Sequence, residues 1–103
     1  MLNLNYFGRI KMENYNRIKE FSIGTKFYYL NDKLHRLDGP AIDYIDGSKY
    51  WYQNGLLHRI DGPAYEYFNR YKECYKEWYY EGEYIDCKSQ EEFERYVKLK
   101  LFW

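Results

Sequence analysis

The segment GTKFYYLNDKLHRLDGPAIDYID, residues 24–46, aligns without gaps on GSKYWYQNGLLHRIDGPAYEYFN, residues 47–69, with twelve of 23 positions identical. A chain that repeats at this period builds its fold from copies of one supersecondary unit, because a single unit cannot bury its own apolar side. A third, degenerate unit follows. KEWYYEGEYID (residues 76–86) matches KYWYQNGLLHR (residues 49–59), but 27 residues on rather than 23. About four residues are therefore inserted near positions 69–74, and the His-Arg-x-Asp-Gly-Pro element is lost. Upstream, Glu20-Phe21 matches Asp43-Tyr44, which predicts a partial leading strand.

Each unit reads as two short strands with two turns. KYWY, residues 49–52, suits a pleated, half-buried surface. Asn54-Gly55 is a strong hairpin signal because both residues tolerate positive φ; Asn31-Asp32 serves the same purpose less well, and Asp46-Gly47 is a second such turn. In AIDYI and AYEYF, Ile42 and Tyr44 share one face, as do Tyr65 and Tyr67, while Asp43 and Glu66 point the other way. Ser89 followed by Glu92 is a capping box ahead of an amphipathic run, which predicts a helix over 90–101. The fold class predicted is mainly β: an antiparallel β-hairpin repeat meander of six to eight strands capped by a C-terminal α-helix. The 103 residues suffice for a single domain, divided into a leading segment (1–23), repeats over 24–46, 47–69 and 70–88, and a capping helix (89–103).

The duplicated octapeptides LHRLDGPA (34–41) and LHRIDGPA (57–64) hold both histidines of the chain. Pro40 and Pro63 cannot donate to a ladder and belong at a strand start or bend. Gly39 and Gly62 are expected to adopt an angle other residues resist. Asp38 and Asp61 are expected to close the turn by accepting from the backbone two residues on. Leu34, Leu37, Leu57 and Ile60 are expected to anchor the corner.

His and Arg have two readings. In one, His35, Arg36, His58 and Arg59 form ligand-binding corners. Arg offers a fork for phosphate oxygens, and Trp51, Trp78, Tyr52 and Tyr79 supply rings for stacking. In the other, they hydrogen-bond backbone and Asp within each corner. Recurrence at a structural period favours the second. A phosphodiesterase or nuclease using His35 and His58 as acid and base is an outlier. The chain has no nucleophile elbow, P-loop or metal-ligand spacing, and no catalytic residue, metal or cofactor is expected.

Composition narrows the partners. Formal charge is zero and no basic tract occurs, so binding to long nucleic acid is disfavoured. No apolar run is long enough to span a membrane. Cys74 and Cys87 form no CxxC pair, and the first residues lack a signal peptide's apolar stretch; free thiols in the cytosol are the expectation, with Met1 and Met12 both candidate initiators. Fifteen Tyr, six Phe and three Trp exceed what a one-sided core uses, so one aromatic face is expected to be a contact surface, and a homodimer through the sheet face or its free edge is also favoured.

The pattern WYQNGLLHRIDGPA resembles the tandem repeats of MORN-like or MORN-variant proteins from phages, giant viruses and bacteria. The resemblance covers residues 24–69 and, more faintly, extends to 86. It implies successive β-hairpins and a small accessory protein made during infection, acting in the host cytosol against a host factor or defence system. The Gly-rich ending of true MORN units is missing, so their lipid association is not carried over. The function expected is non-enzymatic binding of a host protein through an aromatic sheet surface, with sequestration of a nucleotide-type signal as the alternative.

Overall fold

The computed structural model describes residues 13–21 and 23–101, with the backbone of two further short strands, β1 (Tyr6–Phe7) and β2 (Ile10–Lys11), which pair with each other. Met1 and Met12 lie outside the described residues. The architecture is the predicted antiparallel meander. β3 (Arg17–Glu20), β4 (Lys26–Leu30), β6 (Ile42–Asp43), β7 (Lys49–Tyr50), β10 (Tyr65–Phe68), β11 (Cys74–Tyr80) and β12 (Glu83–Ile85) lie side by side in that order.

Three short strands complete it. β5 (Lys33–Leu34) pairs with the end of β4 whose start pairs with β6, so β5 and β6 are two halves of one interrupted strand. β9 (Leu56–Leu57) and β10 stand in the same relation to β8 (Tyr52–Gln53) and β7. The interruption is the octapeptide. Expected as a corner at a strand start or bend, it is instead a loop thrown out from mid-strand. Tyr28 N–H donates to the Ala41 carbonyl (2.7 Å) and the Tyr28 carbonyl accepts from His35 N–H (3.0 Å), so one residue bonds both sides of the gap. Trp51 does the same with Ala64 (2.7 Å) and His58 (2.9 Å). Ala41 and Ala64 are fully buried there.

The turns follow the sequence with one correction. Asn54 (φ 52°) and Gly55 (φ 80°) form the expected two-residue hairpin turn, as do Asn31 and Asp32. The Asp46-Gly47 turn is a three-residue loop instead. Tyr44 N–H donates to the Ser48 carbonyl (3.0 Å), and Gly47 alone takes positive φ (96°). The loop recurs between Phe21 and Thr25 and between Asn69 and Glu73, where Lys72 (φ 62°) occupies the strained position. The inserted residues lengthen β10 and β11 equally, adding the pairs Tyr67↔Tyr75 and Phe68↔Cys74. An even addition to each strand keeps every side chain on its face.

Alternation gives the sheet two unlike faces. On one, Glu20, Lys26, Asp43, Lys49, Glu66 and Lys76 pair in register across six strands, alternating in sign at every step. Opposite charges directly across a ladder stabilise it. Lys49 and Asp43 approach to 2.9 Å. The other face carries the aromatic rows described below.

The helix α1 (Gln90–Leu101) lies where sequence placed it. Ser89 Oγ accepts the Glu92 N–H (3.2 Å), Glu91 and Glu92 sit in the first turn, and Lys98 and Lys100 in the last. Phe93, fully buried, packs with Trp78 and Ile85 to form the main cluster, flanked by Tyr80, Cys87, Tyr96 and Val97. Ile85 stands at the position of His58, where the third unit would begin its loop. Gln90 ties the helix down. It accepts from Trp78 Nε1 (2.7 Å) and donates to the Ile60 carbonyl (2.9 Å). Ile60, expected as an anchor, is half exposed, and its carbonyl rather than its side chain does the anchoring. Truncating Phe93 to Ala should cost about 3–5 kcal/mol in urea denaturation, because the helix would lose its only wholly enclosed side chain.

Candidate functional site

The loops that carry His and Arg are held by their own side chains. Arg36 lies over Tyr28, its guanidinium carbon 4.0 Å from the ring centroid. It donates to Asp38 (2.9 Å) and to the Pro40 carbonyl (3.3 Å). Arg59 repeats this over Trp51 (3.8 Å), with Asp61 (2.8 Å) and Pro63 (3.2 Å), and adds Glu66 (3.2 Å). A guanidinium stacked on a ring while its edge donates to a carboxylate is held more firmly than a lysine could be. Arg36 depresses the Asp38 pKa by this bond.

Two expectations about the loop need correction. Asp38 and Asp61 accept from arginine side chains rather than from the backbone two residues on. Gly39 and Gly62 do not have positive φ. They are glycine because the guanidinium occupies the space of a side chain: a Cβ would fall 2.6 Å from the Arg36 carbon at Gly39, and 2.6 Å from that of Arg59 at Gly62. The arginine is pinned on three sides, so it cannot swing clear at little cost.

The histidines staple one unit to the next. His35, 4 % exposed, accepts the Asn54 N–H through Nδ1 (2.9 Å), and its Nε2 pairs with the Glu13 carbonyl (2.8 Å). His58 accepts the Glu81 N–H through Nδ1 (2.9 Å) and meets Tyr80 edge-on. Both donors are turn residues with positive φ, Asn54 and Glu81, so each imidazole pins the hairpin tip of the following unit. Burial lowers the His58 pKa below its ordinary 6.5, against an opposing pull from Glu81.

The eight residues expected to bind ligand do not converge. Trp51 and Trp78 lie on the charged face, under Arg59 and α1; Tyr52 and Tyr79 lie on the other. Beside Arg59 a cleft of about 410 Å³ opens toward the start of α1, lined by Glu66, Lys76, Trp78, Lys88 and Gln90 among others. An incoming phosphate there meets an arginine whose donors already hold two carboxylates. The Trp51 Nε1 is buried without a partner, whereas the equivalent atom of Trp78 has Gln90.

The opposite face carries an unbroken chain of rings. Phe21–Phe27 (5.1 Å), Phe27–Tyr44 (6.2 Å), Tyr44–Tyr50 (5.6 Å), Tyr50–Tyr65 (4.4 Å), Tyr65–Tyr67 (5.3 Å) and Tyr67–Tyr75 (5.0 Å) are successive contacts, all but the last edge to face. Tyr29 and the Tyr79–Tyr84 pair extend it. The Tyr50 hydroxyl bonds that of Tyr65 (3.2 Å), and burial with this bond pushes its pKa to about 12. Tyr52 and Tyr79 are raised too, chiefly by burial. At the leading end, Phe21, Ile23, Phe27, Tyr44 and Ile45 line an apolar hollow of about 570 Å³. Phe27 and Tyr44 were not among the candidates; their i, i+2 spacing with Tyr29 and Ile42 was the available signal. Among the described residues, no group of His, Cys, Asp and Glu could hold a metal ion, and no helix is long and apolar enough to cross a membrane. Comparison with family models, curated proteins and solved structures found no match.

Two variants test the loop. Gly62→Ala should destabilise by about 1–3 kcal/mol alone and by close to nothing in an Arg59→Ala background, measured as a denaturation cycle. His58 should make stability fall as pH drops below 6.5, since the unfolded imidazole takes its proton before the buried one does. Its contribution is complete above 6.5 and lost through the lower folded-state pKa; His58→Gln should remove that slope from the denaturation midpoint.

Proposed function

We propose that this chain is a non-enzymatic binding protein whose aromatic sheet face docks on a host protein, blunting that factor or a host defence. The observation that carries the reading is the composition of that face. Phe27, Tyr29, Ile42, Tyr44, Tyr50, Tyr65 and Tyr67 follow one another across four strands with no charge between them. Tyrosine is among the side chains that contribute most to contact surfaces, since it buries area with few rotors and keeps a hydroxyl for the partner. The origin in an infecting virus follows from the repeat's resemblance alone.

The face is preferred to the His-Arg loops for a stated reason. A nucleotide bound at Arg59 must displace Asp61 and Glu66, losing two charge-assisted bonds before gaining its own. The experiment is capture from host lysate with three proteins: wild type, Tyr44→Ser with Tyr67→Ser, and Lys26→Ser with Lys49→Ser on the charged face. One stoichiometric partner should be retained by the wild type and the charged-face variant. Its capture should fall about tenfold or more with the tyrosine variant. Equal capture by all three overturns the reading, as does calorimetric binding of a cyclic or linear nucleotide that Arg59→Ala abolishes.

A further inference from the structure

The central row of the aromatic face is complementary to its own reverse. Reading across the register, Lys19 lies opposite Phe27, Phe27 opposite Ile42, Ile42 opposite Tyr50, Tyr50 opposite Tyr65, and Tyr65 opposite Glu77. A single level of the sheet thus begins with a cation on β3, runs through four uncharged side chains, and ends with a carboxylate on β11. The level one step away begins with Arg17 beside Tyr29 and ends with Tyr79, which contacts Tyr84. Lys19 and Arg17 both stay on this face, as their approach to Phe21 (5.3 Å) and Tyr29 (4.6 Å) shows.

We propose that a second copy of this chain docks on this face, related by a two-fold axis that runs parallel to the strands between β6 and β7. The proposal rests on the reading that the face is a contact surface; a second copy and a host partner would use the same residues, so each displaces the other. A half-turn about such an axis reverses the order of strands and leaves each level where it was. Lys19 then meets Glu77 of the second copy, and Glu77 meets the second copy's Lys19. Phe27 lies over Tyr65, Ile42 over Tyr50, and Arg17 over the Tyr79–Tyr84 pair. The contact is isologous, with both ion pairs at the rim and the rings inside. Two sheets packed in this way keep their strands roughly aligned. Five strand spacings make the face about 24 Å wide, the scale of a standard interface. The opposite face fits this role poorly, because its charges, among them the Lys49–Asp43 and Arg59–Glu66 ion pairs, would have to be stripped of water.

Sedimentation velocity over a dilution series tests it, with four proteins: wild type, Lys19→Glu, Glu77→Lys, and the two changes together. Wild type should dimerise. Each single reversal places two like-charged contacts in every dimer and should weaken association about tenfold or more. The combined variant should recover, and an equimolar mixture of the two single variants should form the mixed dimer. A wild type that is monomeric at every concentration overturns the proposal, as does a dimer indifferent to both reversals. The two readings of the face fail separately. A monomer whose partner capture is still lost in the tyrosine variant removes only the second copy. A charge-sensitive dimer with unchanged capture removes only the host partner.

Discussion

Each unit has one strand residue that must serve two neighbours, and covering that residue organises the whole molecule. Tyr28 and Trp51 give their amide to one half of an interrupted strand and their carbonyl to the other. Their rings therefore stand where the sheet has a gap. A ring left in the open there would lose most of the burial that makes a strand of this length worth forming. The chain closes the gap with material from the gap itself. The loop sends a guanidinium back over the ring, and a glycine lets it lie close. In the third unit the same task falls to a helix. Trp78 takes Gln90 and Phe93 in place of an arginine, which is why losing the loop and acquiring α1 occur together.

The charged and aromatic faces follow from this arrangement. The covering groups all lie on one side, so that side can afford charges between them, and the alternating row from Glu20 to Lys76 is the outcome. The other side has no loop or helix of its own among the described residues. Its rings shelter one another, edge to face, and the raised pKa values of Tyr50, Tyr52 and Tyr79 report that shelter. Burial of this kind is incomplete, and a partner's surface would finish it.

How much of this could be read from residues alone differs from one element to another. The repeat, the two-residue turns at Asn54-Gly55 and Asn31-Asp32, and the helix are local patterns, and each was legible. The role of the octapeptide was half legible. Pro40 and Pro63 marked a break, but nothing in the sequence says whether a break joins two hairpins or interrupts one strand. That depends on Ala41 and His35 returning to the same residue, a long-range pairing. Gly39 was misread because a glycine that yields φ freedom and a glycine that yields room look identical in a sequence. The binding candidates failed to converge for a different reason. Trp51 and Tyr52 are neighbours in the chain, and alternation alone sends them to opposite sides. Lys19 and Glu77 are separated by 58 positions, and only the register of five strand pairs shows them to share a level.

The imidazole staples have a consequence for how such a chain can grow. Each block carries an acceptor for the block ahead, in His35 or His58, and a turn amide for the block behind, in Asn54 or Glu81. Donor and receiver travel in the same stretch of gene. Copying one block in tandem would make a longer array whose new seam is already furnished, with the leading strand and the closing helix left untouched. Array length in this architecture is thus free to drift by whole modules, and the width of the tyrosine surface would drift with it.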